Sequence, residues 1–434
     1  MLPRGRVRWV LIAWMFVIAA TAYLDRTNIQ IGVPSIEGEF HLNHKQMGWV
    51  LSAFVFGYAL FQAPGGRMAD RFGPRKILTL GAVWWAVFTS LTAFVPAGFT
   101  RALLLLIAVR FLLGVGEAVV FPASNRLVAS WIPSQERGLA NGLIFAGVGA
   151  GAGVSSPLIG YIIRHNGWHW SFWMSALIGL AAGTVWFLMA RDRPEEHPWV
   201  DSAELAHIRS GLLGWSKSLT EKPLSWRTIL SSKNVWIVTI SYSCFGYVAY
   251  IFFTWFFTYL SSVRGLNPKA SSYYTMLPPL AMVVCSLLGG FLGDRWSKRF
   301  GKRLGRCGVA GAGIALAGIF IAIGPLAQDV RLASLVLAGG AGALYLSQSA
   351  FWSVSSDIGG RSAGSVSGVM NMGNQLAGAL TALLMPFIAD HYGWDVPFFI
   401  AAAVCAVGSL AWLMVDPERE LAEAPTARSA GPSQ

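Results

Sequence analysis

Charged residues interrupt long apolar stretches of the sequence at two places, Asp25-Arg26 and Arg110 with Glu117. A charged side chain at the centre of a bilayer costs at least about 2.5–3.5 kcal/mol, so such residues face a protein interior and find partners there. An arginine binds a carboxylate through two parallel hydrogen bonds. Burial disfavours the charged form of a carboxyl group, which can then take up a proton. These four residues are therefore candidates for anion binding coupled to proton exchange.

Helical geometry predicts that the four side chains form a column. At 1.5 Å of rise per residue, Asp25 and Arg26 lie about 10–12 Å below the outer end of the first helix, and Arg110 lies at a similar depth. Glu117 follows Arg110 by two turns on the same face, about 10 Å deeper. A purely structural alternative is two buried salt bridges between two helices. Buried pairs are poor stabilisers because desolvation can exceed the Coulomb gain, so we favour a functional site.

Neutral polar residues also lie within apolar stretches of both halves of the chain. They are Tyr58, Gln62, Tyr250, Thr254, Ser347, Gln348, Ser349, Asn371, Asn374 and Gln375. Any one of them could simply join two helices, since such hydrogen bonds contribute about 0.6 kcal/mol on average. As a set, they fit a hydroxyl-rich ligand.

The composition indicates that membrane-spanning helices position these residues. Of 434 residues, 54% are hydrophobic and 12% are charged, whereas soluble domains carry roughly 25% charged residues. A spanning helix needs about 20 mostly apolar residues. Twelve stretches satisfy this requirement: 9–33, 46–66, 77–97, 102–123, 138–163, 170–190, 234–260, 270–292, 305–326, 331–352, 363–388 and 394–415. The sequence thus predicts an all-α, multi-pass membrane protein.

The basic residues indicate the orientation in the membrane. With the N-terminus in the cytoplasm, cytoplasmic segments hold 25 of the 33 Lys and Arg residues and the other side holds six. This asymmetry follows the positive-inside rule and places both termini in the cytoplasm. It also accounts for the net charge of +12 without a nucleic-acid partner.

The chain repeats itself at a shift of 224 residues. Gly66-Arg-Met-Ala-Asp70-Arg71 reappears as Gly290-Phe-Leu-Gly-Asp294-Arg295, and Arg137 aligns with Arg361. Gly167 aligns with Gly393 after two more residues are inserted. These landmarks occur in the same order in both halves, as expected of parallel six-helix repeats. We predict a first half at 1–190, a cytoplasmic linker at 191–233 with a short helix near 201–213, a second half at 234–416, and a disordered tail at 417–434.

Several other classes of protein are disfavoured. The sequence has no G-x-x-x-x-G-K-[ST] loop and no evident nucleophile–base motif, so we expect neither an ATPase nor any other enzyme. The four cysteines form no C-x-x-C or Cys/His cluster, and we expect no metal site and no disulfide. We expect no cofactor other than protons as the coupling ion, and a monomer in the lipid bilayer.

The motif Gly66-x-x-x-Asp70-Arg71-x-Gly73-x-Arg75-Lys76 resembles the signature between helices 2 and 3 of the major facilitator superfamily. Within that superfamily the chain resembles the anion:cation symporter family. The stretches that carry the resemblance include Tyr23-Leu-Asp25-Arg26-Thr-Asn28, Arg110-Phe-Leu-Leu-Gly114-Val-Gly116-Glu117 and Glu136-Arg137-Gly138. The resemblance covers nearly the whole chain. It implies twelve transmembrane helices in two six-helix halves around a central cavity.

The resemblance also implies roles for individual residues. Asp25 and Glu117 match the proton-coupling carboxylates, Arg26 matches the arginine near the substrate carboxylate, and Arg110 matches the arginine that pairs with the acid of helix 1. The predicted substrate-binding residues are Tyr23, Arg26, Tyr58, Arg110, Tyr250, Ser349, Trp352, Asn371 and Asn374. The predicted cytoplasmic gate consists of Asp70, Arg71, Arg75, Arg137, Asp294 and Arg361. Galactonate transporters of the family have a glutamine in helix 5 where this chain has a glycine-rich apolar run around Val148, which leaves the exact substrate open.

These observations predict a proton-coupled symporter of the bacterial inner membrane. It imports a small organic anion, and a sugar acid such as a hexonate, hexarate or hexuronate fits best. An importer of another carboxylate, such as an aromatic acid, or an anion exchanger is the alternative, because helix 7 is rich in aromatic residues between Tyr247 and Trp255. A non-transporting receptor is disfavoured, since no large soluble domain is evident in the sequence.

Overall fold

The structure is a computed structural model that describes residues 6–212 and 222–422. Within these ranges all regular secondary structure is helical. The first half contains α1 (Val7–Phe40), α2 (His44–Phe72), α3 (Pro74–Phe94), α4 (Ala102–Glu117), α5 (Val120–Trp131), α6 (Arg137–Asn166) and α7 (Trp168–Met189). Two short helices follow, α8 (Ser202–Gly211) and α9 (Trp226–Leu230).

The second half repeats this arrangement. It contains α10 (Lys233–Thr254), α11 (Phe256–Thr258), α12 (Pro268–Thr275), α13 (Leu277–Lys302), α14 (Val309–Ile323), α15 (Val330–Tyr345), α16 (Gln348–Gly359), α17 (Ala363–Tyr392) and α18 (Asp395–Ala411). The short helix predicted near 201–213 is confirmed as α8. Of the predicted tail at 417–434, the part from 423 onwards lies outside the described residues.

Helix boundaries follow local signals in the sequence. α2 begins with a capping box, in which the Asn43 side chain accepts the Gln46 backbone N–H and the Gln46 side chain accepts that of Asn43. This satisfies two amides that a helix start leaves unpaired. Gly167 and Gly393, which the repeat aligns, both end a helix with φ +89°. This conformation favours glycine because a Cβ would be strained there.

The described helices account for twelve membrane spans. Ten continuous helical segments are long and apolar enough to cross a membrane, and two of them are 57 and 63 residues long. Each of these two contains two membrane-length helical passages, so the predicted number of twelve is confirmed.

Two of the spans each comprise two consecutive helices. α4 and α5 meet at Ala118–Val119, and α15 and α16 meet at Leu346–Ser347. All four residues keep right-handed helical φ and ψ angles, so each span continues through the junction, as the sequence predicted. Glu117 lies just before the first of these junctions.

The outer surface of the helices is apolar. Leu188, Leu383 and Leu413 are each about two-thirds or more exposed, at 67%, 73% and 70%. A contiguous apolar surface of this kind requires a lipid solvent. The molecule is thus a multi-pass membrane protein.

The two halves meet at the end of the bundle that carries the linker, which we name the linker face. The first helix, α1, begins at this face. There Arg8 pairs with Glu136 at 3.0 Å and with Glu204 of α8 at 3.1 Å. The Leu421 backbone N–H donates to the Ile358 carbonyl at 2.9 Å, which places the chain's last described residues at the same face.

Glycines allow the two halves to approach closely at the linker face. A Cβ at Gly364 of α17 would lie 2.6 Å from the Gly66 carbonyl oxygen of α2. A Cβ at Gly138 of α6 would lie 2.6 Å from the Gly290 carbonyl oxygen of α13. The two contacts have the same form, as the internal repeat predicts, and neither leaves room for a side chain.

Replacing Gly138 by valine is expected to open the linker face. Overpacking costs about 1–3 kcal/mol, which is roughly a 5- to 150-fold shift in the ratio of closed to open molecules. Labelling of a cysteine introduced at buried Ser353, in a variant without the native cysteines, measures that ratio. Gly160→Val in the same helix is the control, because nothing lies within 4 Å of its Cβ position. Equal labelling of the two variants would contradict the prediction.

Candidate functional site

A cavity lies between the two halves near the middle of the bundle, and we name it the central cavity. Nine of its fifteen lining residues are aromatic: Tyr23, Tyr58, Phe121, Phe145, Tyr242, Phe245, Tyr250, Phe253 and Tyr345. The others are Val148, Ala249, Gln348, Asn371, Asn374 and Gln375. Both halves thus contribute to its wall.

A second cavity adjoins the central one and is lined by the two arginines predicted to lie within spans. Arg26 and Arg110 are among its lining residues, and it shares Tyr58, Tyr250 and Gln375 with the central cavity. Its other residues include Gln30 of α1 and Leu51 of α2. They lie farther from the linker face than Arg26 and Tyr58 of the same helices. We name it the upper cavity, because it extends from the centre towards the face opposite the linker.

Arg26 forms the principal ion pair of the site with Glu117. The Arg26 Nε lies 2.6 Å from the Glu117 Oε1, and the Glu117 side chain is 1% exposed. The Arg26 guanidinium also lies over the Tyr58 ring, with 4.1 Å from Cζ to the ring centroid, and 4.9 Å from that of Tyr23. The ion pair and the aromatic faces together hold the cation at the junction of the two cavities.

Asp25 and Arg110 are buried close to this pair but are not paired with each other. The Thr89 hydroxyl donates to Asp25 Oδ2 at 3.0 Å. In the part of the chain that the structure describes, Asp25 Oδ1 and the Nε and Nη1 atoms of Arg110 have no hydrogen-bond partner. The expected pairing of Arg110 with the acid of helix 1 is therefore not formed here. Side-chain packing instead directs Arg26 towards Glu117 and leaves Arg110 beside the Phe54 ring, 5.1 Å from its centroid.

A chain of amides connects the halves at the wall of the central cavity. Asn371 of α17 donates through Nδ2 to Gln62 Oε1 of α2 at 2.9 Å. Asn374 donates to Asn371 Oδ1 at 3.4 Å, and the Tyr250 hydroxyl donates to Gln375. If the two halves moved apart here, these hydrogen bonds would break, and the freed amide groups would face a ligand in the central cavity.

The residues of α16 lie beneath the central cavity. Trp352 Nε1 and Gln348 Nε2 each donate to the Tyr242 hydroxyl at 3.0 Å. The Trp352 ring also packs on Phe145 of the first half, with centroids 5.0 Å apart. Ser349 is buried, and neither it nor Trp352 is among the lining residues of either cavity.

The structure thus gathers most of the predicted substrate-binding residues at one site. Tyr23, Tyr58, Tyr250, Asn371 and Asn374 line the central cavity, and Arg26 and Arg110 line the upper cavity. Ser349 and Trp352 are the two predicted residues placed behind the wall.

Sequence reasoning missed several aromatic residues of the wall, above all Tyr242, Phe245 and Tyr345. A signal for Tyr242 was present, because it precedes Tyr250 by eight residues and therefore lies on the same face of α10. No comparable signal identified Phe121 and Phe145, whose positions follow from the packing of Trp352.

At the linker face, two aspartates from the repeated motif cap helices of the opposite half. Asp70 accepts the backbone N–H groups of Gly364 and Ser365 at 2.9 and 2.7 Å. Asp294 accepts those of Gly138 and Leu139 at 2.9 and 2.7 Å. Carboxylates are favourable at helix N-termini, so both contacts stabilise the closed linker face.

A cluster of charges lies between these two contacts. Arg137 Nη1 of the first half contacts Asp357 Oδ1 of the second half at 2.6 Å. Arg306 also contacts Asp357, and Lys302 lies 3.4 Å from its other oxygen. Arg306 further donates to the Ser134 carbonyl of the first half. Asp357 and Arg306 were not among the predicted gate residues, although both are charged residues next to apolar runs.

The contacts described for two other predicted gate residues, Arg71 and Arg75, do not bridge the halves. Arg71 is exposed beside the Phe72 ring. The Arg75 backbone N–H donates to Asp192 of the linker, and its Nε donates to the Phe187 carbonyl of its own half. Arg361 lies in the turn between α16 and α17. Among the described residues, no group of three His, Cys, Asp or Glu side chains is arranged to hold a metal ion.

Comparison with known proteins identifies the family. A sequence model described as Major Facilitator Superfamily matches residues 15–382. The chain belongs to the major facilitator superfamily. This confirms the fold expected from the Gly66–Lys76 motif, and with it twelve helices in two halves around a central cavity.

Relatives within the superfamily transport organic anions. The chain is 34% identical over 419 residues to a probable sulfoacetate transporter of Cupriavidus necator, with 96% of each chain covered. It is 28% identical over 421 residues to the D-galactonate transporter of Escherichia coli, with 95% of this chain and 96% of the other covered. The resemblance to the anion:cation symporter family is confirmed, and the protein is a transporter rather than an enzyme.

A solved major facilitator structure shares the fold. The proton:xylose symporter XylE, bound to 6-bromo-6-deoxy-D-glucose, superposes with a TM-score of 0.78 at 14% identity. The match covers 96% of this chain and 98% of the other.

Proposed function

We propose that the protein is a proton-coupled symporter that imports a small organic anion, a sugar acid such as a hexonate, hexarate or hexuronate, by alternating access. The observation that carries this proposal is the buried charge cluster at the junction of the two cavities. There Arg26 is paired with Glu117, and Asp25 and Arg110 lie close by without pairing to each other.

The cluster supports a coupling mechanism. While Arg26 is bound to Glu117, the cation stabilises the ionised carboxylate. A substrate carboxylate that enters the upper cavity competes for the Arg26 guanidinium. Once Arg26 turns to the substrate, Glu117 is a buried carboxylate without its partner, and it takes up a proton. Anion binding and protonation therefore favour each other.

Coupling to protons lets the membrane potential drive uptake. If two protons accompany a monoanion, one net positive charge moves inward. The membrane potential then adds about 2.3 kcal/mol per 100 mV. Asp25 and Glu117 are the two carboxyl groups proposed to carry these protons, and no other cofactor is proposed.

The contacts between the halves support alternating access. The linker face is closed by the Asp70, Asp294 and Asp357 contacts, while the upper cavity extends towards the opposite face. The basic residues favour a cytoplasmic linker face, hence cytoplasmic termini in a bacterial inner membrane. The site lies within one chain, so a monomer suffices for transport.

The residues of the central cavity wall limit which substrates would fit. Arg26 would hold the carboxylate, and the amides of Asn371, Asn374 and Gln375 would bind hydroxyl groups. Sulfoacetate and galactonate, which name the two relatives, are both carboxylates of small size. Val148 lies on the wall, so an apolar side chain faces the ligand there.

The aromatic wall favours a second candidate, the import or exchange of an aromatic acid. Tyr250 and Phe253, which belong to the aromatic stretch of helix 7, line the central cavity with seven other aromatic residues. Flat aromatic substrates gain both area burial and ring contacts in such a cavity.

Uptake into proteoliposomes tests both candidates. Radiolabelled D-galactonate, D-glucarate, D-glucuronate, sulfoacetate and benzoate are supplied with an imposed pH gradient, membrane potential, or both. We expect one sugar acid to accumulate when the inside is alkaline or negative. Accumulation of benzoate alone would favour the second candidate, and uptake that no gradient drives would overturn proton coupling.

A further inference from the structure

The one hydrogen bond that the structure describes for the Asp25 side chain comes from a neutral residue on another helix. The Thr89 hydroxyl of α3 donates to Asp25 Oδ2 of α1 at 3.0 Å. Thr89 is 0% exposed and Asp25 is 1% exposed, so water does not compete for this bond. The bond connects the third span to the acid that the proposed function places in the proton pathway.

This contact is not what a threonine in a helix does by default. The hydroxyls of Thr79 and Thr92, in the same helix, donate to the carbonyls of Arg75 and Phe88, four residues earlier, at 2.8 and 2.9 Å. That local bond is the usual choice for a helical threonine. Thr89 instead donates across the helix interface.

We propose that Thr89 is a positioning residue that sets the proton affinity of Asp25. The proposal rests on the proposed function, in which Asp25 carries a proton. An ionised carboxylate only accepts hydrogen bonds, and a hydroxyl can either donate or accept. Thr89 donates to Asp25 while the carboxylate is charged. When Asp25 is protonated, its hydroxyl donates to Thr89 Oγ1, and the Thr89 hydrogen turns to the carbonyl of Trp85, four residues earlier.

The two arrangements differ in strength. A hydrogen bond to a charged acceptor is roughly twice as strong as one between neutral groups. Thr89 therefore favours the ionised form of Asp25 and holds its carboxylate in one orientation. The charged groups that act on Asp25 are Arg110 and Arg26, with Glu117 as the neighbouring acid. They come from α1 and α4, so the described contribution of α3 is this hydroxyl.

Infrared difference spectroscopy of the substrate-free protein in lipid vesicles tests the proposal. The C=O stretching band of a protonated carboxyl group is followed against pH, and Asp25→Asn identifies the band of Asp25. In Thr89→Val, which keeps the shape and removes the hydroxyl, we expect the midpoint of this band to move to higher pH. The expected shift is about one pH unit, a tenfold change in proton affinity.

Two further variants separate positioning from packing. Thr92→Val is the matched control, since Thr92 is equally buried in the same helix but donates to its own backbone. We expect it to leave the midpoint unchanged, and we expect Thr89→Ser to restore it. The proposal is overturned if Thr89→Val titrates like the unmodified protein, if Thr92→Val shifts equally, or if no Asp25 band titrates.

The experiment needs no transport substrate, so its failure is distinct from that of the proposed function. If gradients drive no uptake but the Asp25 midpoint shifts in Thr89→Val, the symport proposal fails and the assignment of Thr89 stands. If uptake is proton-driven and the midpoint does not move, the reverse holds.

Discussion

Glu117→Gln is expected to abolish the part of substrate accumulation that the Glu117 proton drives, while retaining exchange of substrate across the membrane. Glutamine keeps the size of the side chain and can still accept a hydrogen bond from Arg26, but it cannot bind or release a proton. Each coupled proton supports about tenfold accumulation per unit of pH gradient, since one pH unit corresponds to about 1.36 kcal/mol. Without the Glu117 proton, this tenfold contribution to the internal substrate concentration is lost.

Counterflow in proteoliposomes separates the two activities. Vesicles preloaded with unlabelled substrate report exchange, and empty vesicles with an imposed gradient report accumulation. Glu39→Gln is the matched control, because it is the same substitution at a glutamate outside both cavities. Glu39 lies at the end of α1 and accepts a hydrogen bond from Trp168 Nε1. We expect it to accumulate substrate normally. If Glu117→Gln also did so, the assignment of Glu117 to proton coupling would be wrong.

Asp357→Asn is expected to destabilise the closed linker face by about 3–5 kcal/mol, the usual effect of removing one member of a buried ion pair. Asp357 is the carboxylate that Arg137, Arg306 and Lys302 share, and its side chain is 2% exposed. Its loss removes the carboxylate that contacts all three cations, so their mutual repulsion is offset less. Opening of the face admits water and relieves their repulsion.

Spin labels at exposed Arg71 and Arg299, one on each half, report the opening as an interlabel distance. We expect a longer mean distance in Asp357→Asn than in the parent protein. Asp416→Asn is the control, because Asp416 is exposed on the same face. A distance distribution that matched the control, with no loss of thermal stability, would show that the cluster does not hold the face closed.

At the linker face, the repeated motif predicted the contacts of its aspartates but not those of its arginines. The repeat identified Asp70 and Asp294, and both make the same contact with a helix of the opposite half. The same motif includes Arg71 and Arg75, whose described contacts stay within the first half and the linker. Chain position alone does not tell which side of a helix end meets the other half.

The sequence by itself determined the number of spans, the internal repeat and the family, and it identified Asp25, Arg26, Arg110 and Glu117 as charged residues within spans. Each of these depends on apolar runs, local motifs and helical rise, which are properties of neighbouring residues. Only the tertiary structure decided that Arg26 pairs with Glu117, that Thr89 donates to Asp25, and that Asp357 joins the halves. These contacts connect residues 64 to 220 positions apart. They depend on how each helix is rotated and packed against its neighbours, and no local pattern specifies this rotation.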